Sequence, residues 1–298
     1  MATQSLSDPT TGQKIPAFLQ GVEGVVFGRS VPTLGQSRIV ISSLPKVGKS
    51  SLAHSNPKAF ALDPESGGRS VRNPAALRFG PMVRPNGTVF SPKVSDYRAV
   101  LDKLIVARRT GQCALETIVL DTVDYWLDLH GQELAAEAGV TDISQYSNKH
   151  GEGYQIRNGF LFRMLDDIYS AGFGWVCLAH IFQKSRRVGG EEIMVPSFSL
   201  PQTPVIGLYE RCDHMMYLDI QAVPRMETRE LPGGRTYEAQ VGVEHCRCLQ
   251  VKPGGSLASL GIVGGRLPWP DLIRISESNG WADLERAHAE AVTDLDKD

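Results

Sequence analysis

The sequence predicts an open, mostly parallel α/β sheet that is flanked by helices. Short apolar runs alternate with amphipathic helical segments along much of the 298-residue chain. The apolar run at 39–41 leads into a glycine-containing loop and a helix start, and the buried-strand pattern at 117–121 ends in a carboxylate. Strands that alternate with helices form parallel sheets, and ligands bind at the carboxyl ends of their strands.

The loop at 43–50, Ser-Leu-Pro-Lys-Val-Gly-Lys-Ser, has the pattern of a phosphate-binding P-loop, with Ser43 in place of the usual first glycine. A small residue can close this turn if its φ stays negative. Lys49 would reach the β- and γ-phosphates of a nucleotide, Ser50 would hold Mg²⁺, and Gly48 would let the phosphate approach. The predicted nucleotide contacts of this loop are Pro45, Lys46, Val47, Gly48, Lys49, Ser50 and Ser51.

Composition indicates an ordinary globular protein. The formal net charge is -2, so no global basic field indicates nucleic acid as a partner, and 42% hydrophobic residues can bury a full core. Five cysteines are too few for a disulfide framework and favour reduced core thiols, including Cys246 and Cys248 on one face of a strand. No apolar run is long enough to span a membrane, which favours a cytoplasmic protein.

The remaining elements are predicted from periodicity and punctuation. Ser95 is a candidate N-cap of an amphipathic helix that ends near Gly111. The predicted elements, in order, are a loose tail at 1–15, an edge element at 16–31, a strand at 58–62, loop with short strands at 70–92, helices at 95–109, 125–138 and 154–170, a strand at 175–180, a long loop at 183–204, strands at 217–220, 237–243 and 246–251 around a turn at 232–234, and a polar, partly helical tail from 283.

Three residues at strand ends are candidates for phosphate chemistry. Asp121 suits a partner of Mg²⁺, with a helix N-cap as the alternative. Glu65 could align and deprotonate the water that attacks the γ-phosphate, or it is an ordinary acid of a turn rich in Pro and Gly. His180 could sense the γ-phosphate and pass the change into the loop that follows, or it is a satisfied strand-end histidine. Asp124 fits a helix cap or a surface residue.

The loop at 183–204 carries a short basic cluster of Lys184, Arg186 and Arg187. These side chains could bind a nucleic-acid backbone, and Phe182 could stack on a base. The alternative is a solvated surface loop, since two glutamates follow the cluster. Both interpretations stay open on the residues alone.

Five motifs, in their order along the chain, resemble those of the RecA-like P-loop ATPases of bacteriophages, most of all the Sak-type single-strand annealing and recombination ATPases. The resemblance spans about 38–260, and its most specific parts are the Lys-Val-Gly-Lys-Ser loop and the Asp-x-Glu after the second strand. The motifs lie at 45–50, 60–65, 118–121, 150–154 and 178–180.

The resemblance implies a RecA-like P-loop NTPase core at 31–275, between a tail and edge element at 1–30 and a polar tail at 276–298. In such a core Lys49 and Ser50 match the Walker A residues and Asp121 the Walker B acid. Glu65 matches the catalytic glutamate, and His180 the γ-phosphate sensor. The loop at 183–204 corresponds in position to a DNA-binding loop, although its sequence differs from that of RecA.

The same resemblance implies ATP and Mg²⁺ as cofactors, single-stranded DNA as a partner, and self-association into rings or filaments. Arg247 and Lys252 are candidates for completing the ATP site of a neighbouring subunit. A single-strand-binding or replication protein is a further possible partner. Two other functions stay open, namely a P-loop kinase whose lid uses Arg69 and Arg72, and an ATP-dependent switch that binds a replication protein such as a helicase.

Overall fold

The computed structural model describes residues 31–72, 74–147, 149, 151–188, 191–232, 234–251, 263–265, 267–277 and 279–295. The chain divides into two compact units, 1–33 and 34–298, and the fold described below is that of the second. The tail and edge element predicted at 1–30 lie outside the described residues.

A ten-stranded sheet forms the centre of this unit. Its strands are β1 (Arg38–Ser43), β2 (Ala59–Leu62), β3 (Leu77–Phe79), β6 (Thr117–Asp121), β7 (Gly174–Val188), β8 (Glu191–Phe198), β9 (His214–Leu231), β10 (Arg235–Gln250), β11 (Gly264–Gly265) and β12 (Ile273–Ile275), while β4 (Met82–Val83) and β5 (Val89–Phe90) form a separate pair. The main path runs β12-β10-β9-β1-β7-β6-β2-β3, with β8 beside β7 and β11 beside β9.

The six neighbouring strands from β9 to β3 pair in parallel. Strand β7 therefore lies between the strand that precedes the P-loop and the strand that ends in Asp121. Strands β8, β10, β11 and β12 are antiparallel to their neighbours, as predicted for the later strands. The carboxyl ends of β1, β2 and β6 consequently meet at one edge of the sheet.

Helices cover both faces of the sheet. They are α1 (Lys49–His54), α2 (Val94–Arg109), α3 (Val123–Glu137), α4 (Glu152–Ser170), α5 (Gln202–Arg211) and α6 (Gly280–Leu295). Helices α2 to α5 contribute to the core on one face, and α1 and α6 to the core on the other. Alternating residues of β1 serve the two cores, with Val40 in the first and Ile39 and Ile41 in the second. Burial on both faces explains the continuous apolar runs of β1 and β6.

Two local predictions from the sequence are wrong. The segment 183–204 is not a loop, because β7 continues to Val188 and pairs with β8 as an antiparallel hairpin, and α5 begins at Gln202. The sequence predicts a loop here because the run at 183–187 is polar, two glycines follow at 189–190, and Pro196 interrupts the second strand. The N-cap of α2 is Lys93 rather than Ser95, and the Lys93 N–H donates to Asp96 Oδ2 at 2.9 Å.

The C-terminal helix α6 buries one face in the second core. Trp281 is 1% exposed and Leu284 is fully buried, and both belong to the cluster that includes Leu52 of α1. The Trp281 N–H also donates to Ser55 Oγ at 2.9 Å. The sequence predicts a polar, partly helical tail here, and the structure shows a helix from Gly280 to Leu295. No helix in the described ranges combines the length and apolar character needed to cross a membrane.

Candidate nucleotide-binding site

The loop between β1 and α1 has the backbone of an anion-binding nest. Gly48 has a φ of 107° and Lys46 a φ of 67°, both in the left-handed region. Left-handed residues within a tight turn direct successive N–H groups toward a common point, where an anion binds. Among the described non-glycine residues only Lys46 and Ser66 have a positive φ, so Ser43 closes the turn without the glycine usual at its position.

Lys49 lies at the start of α1 and is 5% exposed. Burial lowers the pKa of its ammonium group, while the charges of Asp121, Glu65 and Asp124 oppose that shift. Because Lys49 is buried and its charge is balanced by nearby carboxylates, a bound phosphate could replace them as its ionic partner.

Ser50 and Asp121 form an oxygen pair at the meeting point of α1 and β6. Ser50 Oγ donates to Asp121 Oδ1 at 3.1 Å, and His54 Nε2 lies 3.2 Å from Asp121 Oδ2. Ser50 and His54 are four residues apart on α1 and therefore share one face of that helix. This spacing is the signal by which the sequence could have identified His54 as a second partner of Asp121.

The pair fits a Mg²⁺ ion. A Cβ added to Gly67 would lie 3.3 Å from Ser50 Oγ and 3.4 Å from Asp121 Oδ2, so the glycine keeps the space beside both oxygens open. Within the described residues, no group of three or more His, Cys, Asp or Glu side chains is placed to hold a metal by itself. A hydroxyl and a carboxylate suit Mg²⁺, which takes its remaining ligands from phosphates and water.

Asp63 anchors the turn that carries Glu65. Its two oxygens accept the N–H groups of Gly67 and Gly68, both at 2.9 Å, and Arg78 Nη1 donates to it at 2.9 Å. Burial and the nearby charge of Asp121 raise the pKa of Asp63, and Arg78 and the glycine amide oppose the rise. Asp63 belongs to the Asp-x-Glu motif after the second strand, but its anchoring role was not predicted, although the Gly-Gly pair at 67–68 was a signal for it.

Glu65 lies above the end of β2 and faces two neighbouring strands. Thr122 Oγ1 donates to Glu65 Oε2 at 3.0 Å, and His180 Nε2 lies 3.9 Å from Glu65 Oε1. The side chain is 34% exposed, so water reaches the carboxylate. The structure thus brings Glu65 and His180 together at the edge where Lys49 and Asp121 lie.

Asp124 has a role that its predicted assignment as a helix cap or surface residue does not describe. It is neither a simple cap nor a surface residue, because its Oδ2 lies 2.5 Å from His180 Nδ1 and its Oδ1 accepts the His180 N–H at 3.1 Å. Burial acts to raise the pKa of Asp124, but the hydrogen bond and charge of His180 outweigh it, and the pKa is lowered. Asp124 therefore orients the imidazole so that its other nitrogen faces Glu65.

Comparison with known proteins places this site in a family. The model of an AAA domain matches residues 36–240, which is more than half of the chain. The chain belongs to this AAA domain family. No curated protein matches the chain. Among solved structures, the crystal structure of the RadB recombinase is similar, with a TM-score of 0.33, 14% sequence identity, and coverage of 70% of this chain and 90% of that one.

The matched AAA segment contains the P-loop, Glu65, Asp121, Asp124 and His180. The predicted fold class is confirmed in its architecture, namely an α/β core with a P-loop, whose mostly parallel sheet is flanked by helices and followed by antiparallel strands. Its RecA-like character stays a prediction. The narrower resemblance to phage Sak-type ATPases stays a prediction.

The AAA domain carries the predicted basic residues on the β7–β8 hairpin. Lys184 and Arg187 are exposed, and Phe182 is 46% exposed. The backbone of Arg186 pairs with Ile193 in the same hairpin. His180 stands on the same strand, so β7 connects the nucleotide site directly to these residues.

Of the two residues predicted to complete the ATP site of a neighbouring subunit, the structure describes only one. Arg247 lies on β10 and donates from Nη2 to Ser276 O at 2.9 Å, while Lys252 falls outside the described residues. Both lie beyond the segment that matches the AAA domain. On the same strand, the sulfur atoms of Cys246 and Cys248 are 3.5 Å apart, as predicted for two thiols on one face.

Proposed function

We propose that this AAA-domain protein is a Mg²⁺-dependent ATPase that acts on single-stranded DNA as an oligomer. The observation that carries the proposal is the convergence of Lys49, Glu65 and His180 beside the Ser50–Asp121 pair. Lys49 is a cation that can bind phosphate, and the oxygens of Ser50 and Asp121 can bind a metal. Glu65 is a carboxylate that water can reach. His180 is a polar group near Glu65 on β7, the strand that leads away from the site.

Catalysis would rest on positioning and charge neutralisation, since phosphoryl transfer needs little covalent participation by the protein. The loop amides and Lys49 would hold the β- and γ-phosphates. Ser50 and Asp121 would hold Mg²⁺, which when bound supplies positive charge to the phosphate oxygens. In the free protein Lys49 interacts through charge with nearby carboxylates, and a bound triphosphate would give its ammonium group a stronger ionic partner.

Glu65 would orient the attacking water and accept its proton. One of its oxygens is held by Thr122, and the other faces His180. The Asp63 anchor keeps the turn of Glu65 over the site, so the carboxylate is positioned before the nucleotide arrives.

His180 would connect the state of the nucleotide to the hairpin. It contacts Asp124 and lies near Glu65, and two residues later the same strand presents Phe182 to solvent. A change in the Glu65–His180 contact on hydrolysis would shift β7 and the basic residues Lys184, Arg186 and Arg187. Exposed lysine and arginine side chains with an aromatic ring suit the backbone and bases of single-stranded DNA.

Recombination or annealing of single strands is the process that best suits these properties, and the resemblance to phage Sak-type ATPases supports it. Rings or filaments would place several hairpins along one strand of DNA, which raises avidity without new contacts. A single-strand-binding protein or another replication protein is the expected protein partner.

The test is ATP hydrolysis with and without single-stranded DNA, in the native protein and in the variants Lys49→Ala, Glu65→Gln and Lys184→Glu. We expect DNA to stimulate turnover in the native protein. Lys49→Ala should lose ATP binding, and Glu65→Gln should bind ATP normally but turn over roughly a hundredfold or more slowly. Lys184→Glu should keep basal turnover and lose stimulation by DNA.

Lys103 on the exposed side of α2 offers a matched control, because Lys103→Glu makes the same charge change on a helix instead of the hairpin. If DNA changes the rate of ATP hydrolysis neither in the native protein nor in the variants, the DNA role is contradicted and the nucleotide-dependent switch is favoured. Hydrolysis that survives in Glu65→Gln would remove Glu65 from the mechanism. ATP-dependent phosphorylation of a small acceptor would favour the kinase instead.

A further inference from the structure

Arg247 lies directly against the P-loop of its own chain. A Cβ added to Gly48 would meet Arg247 Nη1 at 2.7 Å, Cδ at 3.3 Å and Cζ at 3.7 Å. The open side of this glycine is therefore covered by a guanidinium. Because Gly48 is the residue before Lys49, the guanidinium stands at the edge of the same nest that receives the phosphates.

A short chain of contacts fixes this arginine in place. Arg247 Nη2 donates to Ser276 O at 2.9 Å, and the Ser276 N–H donates to Asp283 Oδ2 at 2.8 Å. Asp283 belongs to α6, and the Trp281 N–H of the same helix donates to Ser55 Oγ just after α1. The segment that holds Arg247 is thus attached to the helix that begins at the P-loop.

The strand pairing gives the arginine its direction. Arg247 pairs with Ile220 of β9 and Ile275 of β12, while its neighbours Cys246 and Cys248 share the opposite face of β10. Leu249, two residues on, is fully buried in the core that also holds Leu52 of α1. Alternation along the strand accordingly directs Arg247 to the α1 side of the sheet.

We propose that Arg247 binds the phosphates of the nucleotide held by its own P-loop, and so completes the site in cis. This inference rests on the proposed function and names a further binding residue for it. The bond to Ser276 uses one of the five N–H donors of the guanidinium, and a phosphate is the anion that a planar donor fork matches best. The resemblance predicts instead that Arg247 acts in trans, on the nucleotide of a neighbouring subunit. An experiment that tells cis from trans binding therefore distinguishes the two roles.

The first measurement is the equilibrium affinity for ATP with Mg²⁺, at several protein concentrations, in the native protein, Arg247→Ala and Arg247→Lys. Loss of a charge-assisted contact to phosphate should weaken ATP binding roughly tenfold to a hundredfold in Arg247→Ala, at every protein concentration. Arg247→Lys should lie between the two, because it keeps the charge and loses the fork. Arg274→Ala is the matched control, since Arg274 stands on adjacent β12 and binds Glu244 instead.

The second measurement mixes Arg247→Ala with Lys49→Ala and follows ATP hydrolysis. A cis role predicts that mixing restores nothing, because no chain in the mixture has both residues at one site. Restored turnover would overturn the proposal, since an arginine supplied by the Lys49→Ala chain would then serve its neighbour. Unchanged ATP affinity in both Arg247 variants would overturn it as well.

Failure of the Arg247 assignment can be distinguished from failure of the proposed ATPase function. If the native protein binds ATP and Lys49→Ala does not, while both Arg247 variants bind normally, only the assignment of Arg247 is wrong. If the native protein binds no ATP, the proposed function and this inference fall together. Thermal unfolding without nucleotide shows whether the variants are folded, and Arg247→Lys provides the test if Arg247→Ala is not.

Discussion

At the scale of single residues, two aspartates of this site act by orienting other groups. Asp63 holds the turn of Glu65 through two glycine amides and Arg78, and Asp124 holds His180 through the ring and the backbone. Neither is expected to touch the nucleotide. They are positioning residues, and their effect should appear in the rate of turnover rather than in nucleotide affinity.

Asp124→Asn should lower the rate of ATP hydrolysis by roughly tenfold to a hundredfold while ATP affinity stays near the native value. The substitution removes the charge that holds the imidazole, and hydrogen bonds to charged groups are worth about 1.5–3 kcal/mol. Steady-state turnover and equilibrium ATP binding measure the two quantities.

A double-mutant cycle with His180→Gln provides the check on this prediction. Because Asp124 is expected to act through His180, the double variant should be little slower than either single variant. Asp142→Asn, the same change at an exposed residue that binds Ser144, is the control. Fully additive losses would show that Asp124 acts by another route.

At the scale of elements, α6 connects the end of the described chain to the helix after the P-loop. Its buried face carries Trp281, Leu284 and Ala291, and its first turn bonds to Ser55. An amphipathic helix of this kind contributes to the core through its apolar face, whatever the polarity of the rest.

Trp281→Ala should destabilise the protein by about 3–5 kcal/mol, the usual result of truncating a buried aromatic side chain. Urea unfolding of the native and variant proteins measures the difference. Glu290→Ala, on the exposed face of the same helix, should change stability by less than about 0.5 kcal/mol. Equal, small effects of both substitutions would mean that the segment behaves as a tail.

At the scale of the whole molecule, two cores on opposite faces of one sheet bury histidines in neutral form. His130 is 9% exposed and His288 is 7% exposed, and burial lowers the pKa of both below the usual 6.5. In the unfolded chain these groups bind protons near pH 6.5, whereas in the folded protein they resist protonation. The unfolded state therefore binds more protons below that pH, and stability falls as the pH falls.

The free energy of unfolding should decrease between pH 7.5 and pH 5.5, with a slope of at most about 1.4 kcal/mol per pH unit for each of these histidines. Urea unfolding across this range measures the slope. His288→Leu should reduce it, and His245→Gln, at an exposed position, should not. A stability that is constant over the range would contradict the assignment.

Much of the site could be predicted from the sequence because its signals are local. The P-loop is contiguous, and the strand before it and the helix after it are visible in the same stretch. Asp121 and Glu65 each end a strand, which places them at the ligand-binding edge of any parallel sheet. The wrong assignment at 183–204 arose because polar residues at 183–187, two glycines and Pro196 have the composition of a loop, and the pairing of the two strands is not visible in either strand alone.

By itself, the sequence determined the fold class, the phosphate loop and the strand ends that supply the carboxylates, because each depends on neighbouring residues and on periodicity. Only the tertiary structure decided that Asp124 holds His180 and that Arg247 covers Gly48 of its own chain. The partners in each pair lie far apart along the chain and meet through strand order and register. Those depend on how the whole sheet packs, and no local pattern encodes them.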